Sequence, residues 1–350
     1  MRGRYLTLLI MPVILAALYQ SRTTLFRAWT SSSPFASRAA WAPTSSKMST
    51  FQHPEYHIPI TLPEGLSQSQ LLSFRPFANW LATLQTSLAA QHSSPDHPFH
   101  RDPYALRSIT VQSYDLFGTA KGGGSAPRLG FVKLTSRVAN GAGETLPGAV
   151  FLRGPSVAML VLLVPDDVGV GDAADADAER RVLLTVQPRV AAGSLGFAEL
   201  PAGMVDEGGT FAGQAAREME EELGLVIGEH ELVCLSDLAG DVGGAGEGVG
   251  GGGEGGEGAV GGEDHRLLPR AVYPSAGGCD EYIPIYMHER RVPREQLAQW
   301  SGKLTGLRDQ GEKITLKLVR MRDLWKEGAR DAKCLAAVAL WEGLRREGKI

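Results

Sequence analysis

The chain has 350 residues, of which 43% are hydrophobic and 21% charged, a balance typical of a globular protein that can bury a core. Its three cysteines are too few and too widely spaced for a disulfide framework or a zinc ribbon. The net charge is −4, but residues 1–50 contain six Lys or Arg and no acid, which leaves −10 for residues 51–350. That acidic part is not expected to bind nucleic acid, because nucleic-acid binding needs basic patches.

Residues 1–50 have the composition of a targeting segment. They combine basic residues with many Ser, Thr and Ala, which predicts a transit peptide for a mitochondrion or plastid. An apolar stretch at 6–19 also fits a secretory signal or a weak anchor, so membrane association is expected only through residues 1–20. A start at Met48 would omit the segment and leave the protein in the cytoplasm. The sequence contains no run of 18 or more apolar residues, so a standard membrane span is not expected.

The rest of the chain is predicted to contain two parts with different patterns. Residues 51–150 form an N-terminal subdomain, with one amphipathic helix over 67–90, a polar loop at 92–103 and strands at 108–116, 130–136 and 149–153. Residues 151–350 form the larger domain, with strands at 157–164, 181–186, 281–288 and 313–319 and helices at 295–300 and 332–346. This mixture predicts an α/β or α+β sandwich.

Two stretches of the larger domain are predicted to be loops. Residues 166–179 are acidic and rich in Ala and Gly, which indicates an exposed hairpin loop between two strands. Residues 240–262 contain 14 glycines among 23 residues, with only small or acidic residues between them. Such a segment buries too little apolar area to become ordered, so it is predicted to be a disordered insertion rather than a phosphate-binding loop.

One predicted helix carries a group of carboxylates. Thr210 is a plausible N-cap and Gly224 a plausible C-terminal stop. Between them, Glu218, Glu221 and Glu222 follow i, i+3 and i+4 spacing, which places all three carboxylates on one face of the helix. Neighbouring carboxylates repel one another, and their hard oxygen ligands suit Mg²⁺ or Mn²⁺. Taken alone, the pattern is more typical of a solvated acidic face than of a metal site.

Residues 203–225 resemble the signature of the Nudix hydrolases, G-x5-E-x7-R-E-(apolar)-x-E-E-x-G-(apolar). One position departs from it, because Gly209 stands where the family has its first glutamate. The positions that match are Gly203, Arg217, Glu218, Met219, Glu221, Glu222, Gly224 and Leu225. The part of the signature that carries most metal ligands in the family is therefore intact.

Other segments resemble the ADP-sugar diphosphatase branch of that family, and most closely its plant type. They are Gln-Pro-Arg at 187–189, Glu-Leu-Pro-Ala-Gly at 199–203 and Pro-Ser-Ala-Gly-Gly-Cys-Asp-Glu at 274–281. The resemblance implies the Nudix α/β/α sandwich with a mixed β-sheet and a small N-terminal subdomain. It also implies a homodimer, with residues 51–150 as the possible dimerisation region.

The resemblance implies Mg²⁺-dependent hydrolysis, with Mn²⁺ possible, of ADP-glucose or ADP-ribose to AMP and a sugar phosphate. Glu218, Glu222, Glu221 and the carbonyl of Ala202 would bind the metal, and Glu221 could instead act as a base. Glu281 would reach the site from a flexible Gly-Gly loop and orient or deprotonate the attacking water.

The remaining candidate residues would bind substrate. Arg189 and Arg153 suit the phosphates, because the guanidinium group matches phosphate geometry. Gln187 and Glu199 could hydrogen-bond to the ribose or the base. Two other functions stay open: hydrolysis of a different nucleoside diphosphate derivative, and a catalytically weak module that binds ADP-sugars, which Gly209 alone favours.

Overall fold

The computed structural model describes residues 48–117, 127–169, 173–205, 210–240, 268–306 and 313–350, all of which belong to one compact unit. In these ranges the strands β1 to β14 are Ser49–Gln52, Pro59–Leu62, Ala105–Phe117, Arg128–Ala139, Thr145–Leu146, Ala149–Leu152, Ser156–Pro165, Arg181–Arg189, Ser194–Glu199, Ala202–Met204, Val233–Cys234, Ile285–Val292, Leu304–Thr305 and Ile314–Arg320. The helices α1 to α8 are Gln68–Ser73, Arg75–Ser93, Ala173–Glu179, Phe211–Leu223, Leu235–Gly240, Arg294–Trp300, Leu324–Glu327 and Ala332–Arg346. None of these helices is long and apolar enough to cross a membrane.

Several predictions fall outside those ranges. Residues 1–47 of the predicted targeting segment lie outside them, and so does all but the first residue of the glycine-rich stretch at 240–262. Gly209, where the chain departs from the family signature, also lies outside the described residues.

The first sheet has the strand order β1-β2-β3-β4-β5, and β6 also pairs with β4. Its pairs are antiparallel except for β2 with β3, which run parallel. The long strands β3 and β4 bury Ile109, Val132 and Leu134, and α2 packs Phe77 and Leu81 into the same core. The N-terminal region therefore has a hydrophobic core of its own.

The prediction of one helix over residues 67–90 is wrong, because the structure has two helices there. The first ends at Ser73 and the second begins at Arg75, with Phe74 between them in an extended conformation. Pro76 is in the first turn of the second helix, where its missing N–H costs nothing. Inside a continuous helix, its ring would clash with the carbonyl of Leu72, four residues earlier.

The second sheet is mixed and has helices on both faces. Its order is β11-β12-β7-β8-β14-β13, with β10 paired to β7 and β9 to β8. The central strand β7 is buried over its whole length and runs parallel to β12 but antiparallel to β8. Alternate residues of β7 enter two cores, one shared with α5 and α8 and the other with α4 and α6. The predicted α/β sandwich with a mixed sheet is confirmed.

The structure corrects two further predictions for the larger domain. The strand predicted at 281–288 starts only at Ile285, because Pro284 has no N–H to contribute to the ladder. The acidic stretch at 166–179 does join two neighbouring strands, but it contains the helix α3 rather than only a loop. Alanine has the highest helix propensity, and Asp177 of this helix accepts hydrogen bonds of 2.8 and 2.9 Å from Arg345 of α8.

Candidate active site

Helix α4 begins and ends at the predicted residues. The Thr210 hydroxyl accepts a hydrogen bond of 2.9 Å from the N–H of Gly213, and Gly224 closes the helix with a φ of +69°. A positive φ favours glycine, which has no Cβ to clash with the neighbouring carbonyl oxygen. One side of the helix packs Ala215, Met219 and Leu223 into the core against β7. This packing holds the helix, and the carboxylates on it, in one position on the sheet.

Glu218 lies against the backbone of the short strand β10. A Cβ atom added at Gly203 would be only 1.7 Å from Oε1 of Glu218, so the carboxylate occupies the space that any other side chain at 203 would need. Gln214, one turn earlier, donates a hydrogen bond of 2.7 Å to the same oxygen. Arg217 in turn donates to the amide oxygen of Gln214. Gly203 of the signature is therefore required by the close approach of Glu218.

Glu222 is a buried carboxylate whose negative charge has little compensation from neighbouring groups. Its side chain accepts a long hydrogen bond of 3.4 Å from Gln187, while Oε2 has no hydrogen-bond partner among the residues that the structure describes. Burial, followed by repulsion from Glu218, raises the pKa of Glu222 to about 8. Burying an ionised carboxylate is costly unless another group compensates its charge. The site around Glu222 therefore favours the presence of a cation.

The residues present fit a divalent cation held between Glu218 and Glu222. The two carboxylates interact electrostatically, and one oxygen of Glu222 needs a partner. Glu218 also lies close to Gly203, which follows Ala202 in β10, and the backbone carbonyl of Ala202 is a predicted ligand. Glu221 is exposed on the same turn. Across the described ranges, no three His, Cys, Asp or Glu side chains are close enough together to form a site from side chains alone.

Three of the predicted substrate residues lie beside this pair. Gln187 contacts Glu222, and the Nε atom of Arg189 lies 2.6 Å from a carboxylate oxygen of Glu199. Glu199 is only 3% exposed, whereas the Arg189 side chain is 41% exposed. The buried Glu199 therefore orients Arg189, and the exposed part of the Arg189 side chain stays accessible to a ligand.

Sequence reasoning assigned no role to Lys333 and Asp331, although both support Glu199. The Nζ atom of Lys333 lies 2.8 Å from Glu199 and 2.9 Å from Asp331. Burial opposes the charge of Lys333, but the carboxylates of Asp331 and Glu199 outweigh it and raise its pKa. Asp331 also accepts a hydrogen bond of 2.9 Å from the backbone N–H of Leu200. The start of α8 thus fixes the position of β9.

The predicted catalytic loop at 274–281 is attached to the end of β6. Asp280 accepts hydrogen bonds from the backbone N–H groups of Arg153, at 2.8 Å, and Gly154, at 3.1 Å. The neighbouring Glu281 forms an ion pair of 3.2 Å with Arg153 and accepts a hydrogen bond from Ser156. Asp280 therefore anchors the loop to the backbone that follows β6. The sequence did not predict this role, although Asp280 stands next to the candidate residue Glu281.

The start of β7 brings the loop close to the acidic pair. Ser156, which contacts Glu281, is paired with Met204 of β10, and the next residue, Val157, is paired with Gly203. Glu281 therefore contacts Ser156 of β7, and Glu218 approaches Gly203, the β10 partner of the next residue of β7. The structure brings Gln187, Arg189 and Glu199 close to Glu222, and it pairs Arg153 with Glu281.

Comparison with known proteins adds three findings. A NUDIX domain matches residues 168–244. "Nudix hydrolase 14, chloroplastic" from Arabidopsis thaliana is 31% identical over 304 residues, which cover 85% of this chain and 80% of that protein. A solved structure described as "Crystal structure of ADP compounds hydrolase" aligns with 14% identity and a TM-score of 0.38, over 70% of this chain and 99% of that one.

Replacing Gly203 with Ala should weaken divalent-cation binding by about 10- to 100-fold, because the new methyl group displaces the Glu218 carboxylate. The measurement is a Mn²⁺ titration followed by electron paramagnetic resonance of the free ion. Gly196→Ala is the matched control, since its Cβ would be 3.9 Å from the nearest atom, an ordinary contact. Wild-type affinity in Gly203→Ala would contradict the placement of Glu218.

Replacing Lys333 with Met should lower the free energy of unfolding by about 3 kcal/mol, because two buried carboxylates lose their shared cation. Denaturant unfolding of the full chain measures the change. Lys317→Met is the control, because its ion pair with Glu327 is exposed and is worth less than about 1 kcal/mol. Equal losses in both variants would rule out a special role for Lys333.

Proposed function

The chain belongs to the Nudix hydrolases, enzymes that cleave diphosphate bonds, and on that basis we propose that its substrates are ADP-sugars such as ADP-glucose and ADP-ribose. The products would be AMP and a sugar phosphate. The observation that carries the proposal is the contact of Gln187 with the buried Glu222, together with the Arg189–Glu199 ion pair close to the same carboxylate. These side chains come from the segments that resemble the ADP-sugar branch.

Nudix hydrolases generally use divalent cations, and we propose Mg²⁺, with Mn²⁺ as a substitute. Glu218, Glu222 and the carbonyl of Ala202 would hold the ion, with Glu221 as a further ligand or a base. The ion would neutralise the diphosphate and lower the pKa of a bound water. One buried oxygen of Glu222 has no partner among the described residues, which supports this assignment, since a proton or a cation is needed there.

The reaction requires an oriented water and a group that accepts its proton. The oxygen of water forms a bond to one phosphorus, the anhydride bond of that phosphorus breaks, and the other phosphate leaves with the bridging oxygen. We assign Glu281 to the proton, because Arg153 and Ser156 hold its carboxylate in one orientation. Arg189, oriented by Glu199, would bind a substrate phosphate through its exposed side.

A substrate panel tests this proposal. The full chain with Mg²⁺ should release AMP from ADP-glucose or ADP-ribose, with products separated by chromatography. Faster hydrolysis of a dinucleotide or of a non-adenine nucleotide sugar would favour a different nucleoside diphosphate substrate. Binding of ADP-sugars without turnover would identify the chain as a binding module.

Two variants of α4 test whether turnover depends on Glu222. Glu222→Gln should reduce turnover by at least about 100-fold without unfolding the protein, because it removes the charge that binds the cation. Glu220→Gln changes a neighbouring exposed glutamate of α4 and should keep wild-type turnover. Full activity in Glu222→Gln would remove Glu222 from the mechanism.

We also propose that residues 1–50 direct the protein to an organelle. The absence of acids in this segment supports import, and the Arabidopsis relative carries the word chloroplastic in its name, which favours a plastid over a mitochondrion. A fluorescent protein placed after residues 1–50 should accumulate in plastids. A diffuse cytoplasmic signal, or one in the secretory pathway, would contradict the proposal.

A further inference from the structure

A cavity of about 250 Å³ opens beside the catalytic loop, between the start of α2 and the end of the first sheet. It adjoins the candidate active site at three points. Met204 follows Gly203 in β10, Tyr282 follows Glu281, and Arg153 forms the ion pair with Glu281. A molecule that spans the two glutamates of α4 can therefore extend directly into this cavity.

The cavity is suited to an anion. Arg75, Arg128 and Arg153 all line it, while the described residues of its lining include no carboxylate. The Nε atom of Arg153 is buried and has no hydrogen-bond partner within the part of the chain that the structure describes, so it is a donor without an acceptor. Three cations here contrast with a net charge of −10 over residues 51–350. Arginine side chains bind phosphate oxygens well.

The cavity also has an aromatic wall. Phe211, the first residue of α4, and Tyr282 lie with their ring centroids 6.0 Å apart. Such rings can pack against the apolar face of a sugar ring, while arginines donate hydrogen bonds to its oxygens. The volume is below the roughly 300–1,000 Å³ typical of sites for drug-sized ligands, so it suits part of a nucleotide sugar rather than the whole molecule.

We propose that this cavity binds the sugar-phosphate half of the substrate, with Arg75, Arg128 and Arg153 donating to its oxygens and Phe211 and Tyr282 packing against its ring. This inference rests on the proposed function. Gln187 and Glu199 are not among the described residues that line this cavity, and they remain available to the adenosine half. The cavity would then determine which sugar the enzyme accepts.

The test measures the affinity of the full chain for the two product halves by calorimetry. Arg75→Ala and Arg128→Ala should each bind glucose 1-phosphate and ribose 5-phosphate at least about tenfold more weakly than wild type, because each loses a charge-assisted hydrogen bond. The affinity for AMP should stay within about twofold. Both arginines are exposed, so folding should not suffer, and Arg137→Ala, an exposed arginine of the same strand as Arg128, is the control that should match wild type.

The outcomes separate the cavity from the proposed function. The cavity assignment would be overturned if Arg75→Ala and Arg128→Ala bound sugar phosphates as tightly as wild type. It would also be overturned if these variants lost affinity for AMP instead. Either result is compatible with hydrolysis of ADP-sugars by the wild type, so it would leave the proposed function standing. Sugar phosphates should also inhibit hydrolysis competitively. Non-competitive inhibition would indicate a separate phosphorylated effector and would also overturn the assignment. Failure of the wild type to hydrolyse any ADP-sugar would refute the proposed function itself.

Discussion

The burial of Glu222 is the constraint on which the site depends. Its carboxylate is buried and interacts with the Glu218 carboxylate, and one of its oxygens lacks a partner in the described structure. Such a group is stable in the folded protein only if other interactions hold it in place and something compensates its charge. The apolar packing of α4 against β7 holds it there. The position of the helix therefore creates a requirement for either a proton or a cation at Glu222.

The same strand supports both halves of the site. Because β7 is buried on both faces, it cannot shift without disturbing two cores. At its start, Ser156 contacts Glu281 and Val157 is paired with Gly203, which Glu218 approaches. The acidic helix and the catalytic loop reach this point from different parts of the chain. A rigid central strand thus fixes the spacing between groups that local sequence cannot relate.

Features that depend on neighbouring residues could be predicted from the sequence. Thr210 and Gly224 cap α4 through contacts within one turn, and the spacing of Glu218 and Glu222 follows from helix geometry. The roles of Lys333 and Asp280 could not be predicted. Lys333 contacts a glutamate 134 residues away, and Asp280 contacts backbone groups 126 and 127 residues away. A local sequence pattern does not show which distant residue such a side chain contacts.

The contacts between the end of β9 and the start of α8 affect when the site can form during synthesis of the chain. The acidic helix and the catalytic loop are synthesised before residue 282, yet Glu199 and Leu200 acquire their buried partners only from Asp331 and Lys333. Asp331 follows Leu200 by 131 residues, and Lys333 follows Glu199 by 134. The site therefore reaches its final arrangement only after residues 331–333 have been synthesised and have packed against β9, so a chain that stops before them should not carry a competent site.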